Sequence, residues 1–324
     1  MRPLTTELVI SLQQLEGIGN KTIMKIADSI KSPLYTLEDL INFWPNVKGK
    51  KLNSITKDDL KKGYYKAEQI IAKSNKQGIH AITIYEDVYP EILKKCVDET
   101  GKLDPPVVLY YRGNLYSLDK PSIAVIGTRE PTPNGEKAGF HFAAEFAKRS
   151  YNIVSGLAIG CDTTGHKGAL SVEGGTTTAF LANGLDWTSI YPKENLELAQ
   201  EIIYNGGLLL SEYPIGQNCG RYGLVARDRL QAGLSYATIV VQTGVKGGTM
   251  HAVNATLAAH KPLFAVEYKS PVDYNNDKVQ GNSMLIREKG AYPLLSTEIE
   301  QAISIIEQSR QKETPKVIQA SLFD

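Results

Sequence analysis

The residues best placed to do chemistry are small and polar, and they sit in a row of short glycine-bearing turns between positions 120 and 268. Gly127-Thr128-Arg129 comes first: the glycine lets a ligand approach the backbone, the threonine offers a hydroxyl, and the arginine offers a planar fork matched to phosphate. Ser155-Gly156-Leu157-Ala158 follows, with Asp162 and His166 behind it, and then Asn183-Gly184-Leu185-Asp186. Thr243-Gly244 and Gly247-Gly248-Thr249 open a further helical stretch, with Lys246 between them and Arg227 and Arg229 just upstream. Helix N-termini carry free N–H groups and the positive end of the helix dipole, so successive openings of this kind make a cradle for anions. One such turn alone is better explained by backbone geometry; the ordered series is what points to a ligand.

The elements that must hold these turns are legible as apolar runs. Ile123–Ile126, Asn152–Val154, Thr178–Ala182, Leu208–Leu210, Thr238–Val241 and Leu263–Val266 alternate with helical stretches. The runs do not alternate apolar with polar, which predicts strands covered on both faces, hence a mostly parallel, doubly wound α/β sheet of Rossmann-like type. In such sheets ligands sit at the carboxyl ends of the strands, where the turns lie. Upstream, His80–Tyr85 and Val107–Tyr111 read as strands. Residues 1–76 read as a small helical domain, residues 79–308 as the doubly wound α/β domain with a helix over 297–308, and residues 309–324 as a disordered tail.

Composition bounds the function. No apolar run approaches the length of a membrane span, and the acid-bearing start is unlike a signal peptide. Cys96, Cys161 and Cys219 form no CxxC pair, which fits a reducing cytoplasm. Residues 1–80 carry a net charge of +5, residues 81–268 a net −3, and the remainder −1. A polyanion bound at the centre must therefore be met by a local cluster and by backbone N–H groups, not by a broad basic face. No Gly-x-Gly-x-x-Gly follows the first central strand and no Gly-Lys-Ser/Thr is present, so no cofactor is expected. His141, His251 and His260 lie in helical stretches without partners at ligand spacing, and no metal is expected. Cys161 opens a helix but has no base paired with it in the sequence, and reads as a buried thiol.

Taken in order, the turns resemble the DNA-processing protein A family (DprA, also called Smf). The matching segments are Tyr89-Pro90, Pro105-Pro106, Arg112-Gly113-Asn114-Leu115, Ile126–Arg129, Ser155–Ala158 with Asp162 and His166, and Asn183–Asp186. They continue through Tyr191-Pro192, Glu194-Asn195, Leu210–Pro214, Arg227-Asp228-Arg229, Ala232–Ser235, Gly248-Thr249, Gly281-Asn282 and Leu285–Arg287. The resemblance covers about residues 80–295 and implies an extended Rossmann fold, a homodimer, binding of single-stranded DNA and loading of a RecA-type recombinase in DNA uptake or recombination. It implies no enzymatic activity. The candidate contacts are Gly127, Thr128, Arg129, Ser155, Gly156, Arg227, Arg229, Lys246, Gly247, Gly248 and Thr249, and the resemblance adds Asn183, Gly184, Gly281 and Asn282 to the same mouth.

The chain departs from the family pattern where charge matters. Asp228 replaces the usual asparagine between the two arginines, where a carboxylate would pair with both. Leu224-Val225 replaces Phe-Pro, Ile159 replaces a basic residue, and Gly247-Gly248-Thr249 replaces Ser-Gly-Ser. These changes keep a second reading open: a nucleotide- or small-anion-binding sensor, or a nucleotide hydrolase of the same superfamily, in defence against foreign DNA. Against hydrolysis, Ala252 stands where the acid of the hydrolase motif would follow Thr249. Two segments outside the centre add expectations. Leu15–Thr22, with Gly17 and Gly19, looks like a helix-hairpin-helix turn able to approach a phosphate. Gln319-Ala320-Ser321-Leu322-Phe323 is similar to the short peptide by which bacterial proteins dock on the replicative sliding clamp, through Gln319, Leu322 and Phe323.

Overall fold

A computed structural model describes residues 2–218 and 220–313; the clamp-like segment at 319–323 and Cys219 lie outside the described residues. The chain begins with four helices, α1 (Thr6–Gln13), α2 (Asn20–Asp28), α3 (Leu37–Phe43) and α4 (Lys57–Asn75). Thr5, Thr36 and Thr56 cap α1, α3 and α4, the last two in reciprocal capping boxes with Asp39 and Asp59. Then come β1 (His80–Thr83), α5 (Glu91–Lys94) and β2 (Val108–Gly113), followed by β3 (Ser122–Ile126), α6 (Pro133–Lys148), β4 (Asn152–Ser155), α7 (Cys161–Leu170) and β5 (Thr176–Leu181). The order continues α8 (Leu196–Tyr204), β6 (Leu208–Ser211), α9 (Gly220–Leu234), β7 (Ala237–Val240), α10 (Thr249–Ala258), β8 (Leu263–Val266), α11 (Pro271–Tyr274), α12 (Asp277–Glu288), β9 (Tyr292–Leu294) and α13 (Ile299–Glu313).

The strands form one nine-stranded sheet in the order β1-β2-β6-β5-β4-β3-β7-β8-β9. Only the β1–β2 and β2–β6 pairs are antiparallel; the other six are parallel. The doubly wound α/β expectation thus holds. From β3 the chain winds outward through β4, β5 and β6, then returns to lay β7 on the other side of β3, with Ile126 opposite Val240. This reversal is the topological switch point, where crossovers leave in opposite directions and open a crevice at the strand ends.

Every residue of β3, β4, β6, β7 and β8 is buried, which is why these strands read as unbroken apolar runs. The core on one face packs α6, α7 and α13 through Phe142, Phe146 and Ile306. Another cluster is continuous from the amino-terminal helices (Leu8, Ile23, Leu40, Leu60) to the sheet (Leu109, Leu209, Phe180). Helices α1–α4 therefore share a core with the antiparallel edge. The last described helix runs to Glu313 and β9 follows α12; neither α12 nor β9 is predicted from the sequence. β9 is three residues long and carries Pro293, tolerated because it pairs only with β8 at the sheet edge.

Candidate nucleic-acid interface

At the switch point the loops after β3, β4, β5 and β7 and the first turns of α9 and α10 enclose a cleft of about 890 Å³. It is lined by nine of the predicted residues: Gly127, Thr128, Arg129, Asn183, Arg227, Lys246, Gly247, Gly248 and Thr249. The β3 loop is held by Gln242, whose side chain accepts from Thr132 N at 2.8 Å and donates to Thr132 Oγ1 at 2.9 Å. Thr128 N in turn donates to Gln242 O at 2.7 Å. Gly248 stands at the N-cap of α10 and offers no side-chain cap, and the exposed Gly247 and Gly248 have open space where a Cβ would stand, so the amide end of the helix is bare to the cleft.

The other six predicted residues lie outside the lining, each for a local reason. Ser155 is fully buried and donates to Val125 O at 2.7 Å. The amides of Gly156 and Ala158, which a phosphate would need, already donate to Asp162 Oδ2 at 3.0 and 3.3 Å. Gly156 still matters to the site, because a Cβ there would displace the Arg227 guanidinium. Gly184 N donates to Gln217 O at 2.8 Å. Gly281 and Asn282 act as a latch: Asn282 is 1% exposed, its Nδ2 donates to Val241 O at 2.9 Å and Val266 O at 3.0 Å, and its Oδ1 accepts from Thr243 N at 2.9 Å. Asn282→Ala would orphan these groups at the root of the β7 loop, costing about 2–4 kcal/mol; differential scanning calorimetry reads it, and an unchanged melting temperature would refute the latch.

Arg229 is the sixth, and it turns away from the cleft. Its Nη1 and Nη2 grip Glu212 at 2.8 and 2.9 Å, and its Nε lies 2.6 Å from Asp104. Asn20 of α2 donates to the same Glu212 at 3.4 Å. The expectation that Asp228 pairs with both arginines is therefore corrected: Asp228 stands 3.4 Å from Arg227 Nε only, and Arg229 is occupied by Glu212 and Asp104.

Arg227 is 5% exposed, and lies 3.9 Å from Asp162 as well. Neither approach meets hydrogen-bond geometry, and Arg227 Nε and Nη1 are left without partners. Burial pushes the Asp228 carboxyl up to about 6 against the pull of Arg227, with Asp162 adding to the rise. Burial likewise raises Asp162. His166 beneath them is fully buried and bonded to Thr177 Oγ1 at 2.7 Å; burial and the nearby Arg227 push it down to about 3, so it stays neutral. The Cys161 thiol is pushed up to about 12 by burial, which removes it as a nucleophile. Among the cations of the lining, Arg129 and Lys246 are exposed and have no ion-pair partner among the described residues, while Glu130 is paired with Lys278 at 2.9 Å.

The lining also contains Tyr191, Gln231 and His251, which the turns do not announce. Gln231 has a signal in the sequence: it is one helical turn beyond Arg227 on α9, and its Nε2 donates to Asp228 at 3.0 Å. His251 bonds Glu99 at 2.9 Å, a contact that no spacing foretells.

Residues 80–307 match the sequence profile of the DNA recombination-mediator protein A family. The chain belongs to that family. Among curated relatives, the DNA processing protein DprA of Bacillus subtilis is 34% identical over 211 residues, 65% of this chain and 68% of that protein. Among solved structures, DprA of Streptococcus pneumoniae superposes over 92% of this chain and 97% of its own with a TM-score of 0.71 at 27% identity. DNA processing protein A of Helicobacter pylori, described for its unique single-stranded DNA binding mode, covers 70% of this chain and 95% of its own with a TM-score of 0.58 at 30% identity. The 92% coverage by the pneumococcal protein means that the family fold extends beyond the profile into the amino-terminal helices. No described helix is long and apolar enough to cross a membrane.

Proposed function

We propose that this DprA-family chain binds single-stranded DNA in the switch-point cleft, with phosphates held by Arg129, Lys246 and the bare amides of Gly247–Thr249. The carrying observation is that the two unpaired cations of the lining stand beside the uncapped end of α10. Backbone donors with a few cations suit a single strand, whose sequence-independent contacts run along its phosphates. The Helicobacter pylori relative's single-stranded DNA binding supports the same ligand here. Acting as a homodimer, the chain would present the captured strand to a RecA-type recombinase, the role that the family's description as a recombination mediator suggests. Docking on a sliding clamp through Gln319, Leu322 and Phe323 remains part of this reading.

Labelled oligo-dT titrated at several salt concentrations tests the ligand. The intact protein should bind with a steep salt slope, and Arg129→Ala with Lys246→Ala should flatten that slope by about 1.4, some 0.7 for each phosphate contact. Binding that is absent at low salt would overturn the reading. A second reading, a mononucleotide ligand, is favoured by one observation: Asp162, Asp228 and Glu130 match Arg129, Arg227 and Lys246 charge for charge in the lining. Protection by a nucleoside monophosphate with no oligo-dT binding would favour it.

A further inference from the structure

The polar groups of the cleft lie at two levels of burial, with exposed apolar residues beside them. The exposed edge holds Arg129, Lys246 and the α10 amides, with Glu130 beside them paired to Lys278. The wall holds Leu224, Val225 and Tyr191, the last two 38% and 54% exposed. The floor holds Asp162, Arg227 and Gln231, at 6%, 5% and 2% exposure, together with Asp228. A phosphate is repelled by a floor bearing two carboxylates and is drawn to the edge. A base is neutral, and the apolar wall offers it a surface to pack on while its edge reaches the floor.

On the floor the acceptor and donor stand side by side. Asp228 Oδ1 accepts from Gln231 at 3.0 Å and stands 3.4 Å from Arg227 Nε, while Oδ2 has no partner among the described residues. Arg227, more than nine-tenths buried, lines the cleft with Nε toward Asp228 and Nη1 toward Asp162, and closes a hydrogen bond to neither. Buried polar groups left in this state look for a partner, and a ligand that supplies one gains accordingly.

We propose that Asp228 and Arg227 form a base-reading position that prefers bases carrying an exocyclic amino group, with cytosine favoured over thymine as the sharpest contrast. The inference rests on the single-strand reading above. The two pyrimidines share one ring and carry opposite groups at position 4; thymine alone adds a methyl at position 5. Cytosine offers an amino donor to the carboxylate and ring acceptors to the arginine, whereas thymine turns a carbonyl oxygen toward the carboxylate. An asparagine at 228 both donates and accepts, and so reads either pyrimidine.

The test is fluorescence anisotropy with labelled oligo-dC and oligo-dT of equal length at pH 7.5, on the full chain and on Asp228→Asn and Asp228→Glu. Intact protein should bind oligo-dC at least about fivefold more tightly, the lower range for one specific base contact. Asp228→Asn should bring the ratio within about twofold, chiefly by tightening oligo-dT binding, and Asp228→Glu should keep its direction. Equal binding of the two oligomers by the intact protein, or an unchanged ratio in Asp228→Asn, would overturn base reading and leave single-strand binding standing. Failure to bind either oligomer would overturn both.

Discussion

Replacing Arg229 by alanine should lower folding stability by about 3–5 kcal/mol, the usual cost of removing one partner from a buried ion pair, while the folded fraction still binds oligonucleotide. Arg229 is 8% exposed and satisfies two carboxylates, Glu212 through both terminal nitrogens and Asp104 through Nε. Without it, Glu212 is left largely buried beside an Asn20 contact of 3.4 Å, too weak to compensate. The damage falls on the junction between α2 and the sheet, because Glu212 follows β6 and Asn20 opens α2. Urea denaturation followed at a sheet-sensitive and a helix-sensitive wavelength should show the loss. Pairing Arg229→Ala with Glu212→Gln should recover part of it, since Glu212 then leaves no unpaired charge and only the more exposed Asp104 lacks its partner. A variant as stable as the parent, or one that keeps its stability but loses oligonucleotide affinity, would return Arg229 to the binding surface.

That contrast between Arg227 and Arg229 shows where sequence reasoning stops. The two residues are separated by one position, and on a helix this turns their side chains roughly 200° apart. The Arg-Asp-Arg pattern looks like one phosphate clamp until Glu212 and Asp104, far away in sequence, claim the second arginine. The parallel core was readable because a strand buried on both faces needs apolar residues at every position, as in Ile123–Ile126. Which strands flank β3 is not written in any one run, so the switch point, and with it the meeting of Gly127–Arg129 and Lys246–Thr249, emerges only with the sheet order. Gly156 and Asn282 illustrate the other limit. Their pattern marks residues that matter, but Asp162 fills the first turn's amides and Asn282 spends its own groups on the β7 loop. Both build the cleft from behind, and only hydrogen-bond partners distinguish that role from contact with a ligand.

Asp228→Asn should stabilise the protein at neutral pH, by roughly 3 kcal/mol at most, since a shift of about two pH units is worth 1.36 kcal/mol per unit. The sign follows from burial: the carboxyl is held near 6 in the folded chain, above its ordinary 3.8, so the folded state takes up a proton before the unfolded state does. Ionised Asp228 therefore costs stability in full above pH 6, the cost fades as pH falls from 6 toward 4, and below that it is gone. Parent and variant should differ most at pH 7.5 and converge near pH 4, a comparison in which other titrating groups cancel. The same charge stands in the cleft with Arg129 and Lys246. Protonating it removes a repulsion on phosphate, so the parent should bind oligo-dT more tightly at pH 5.5 than at 7.5. Asp228→Asn should be tight at both, with thymine itself uncharged across that range. If the variant is instead less stable than the parent at pH 7.5, the 3.4 Å approach of Arg227 outweighs burial, and Asp228 is a buttress for the arginine whose charge the fold needs.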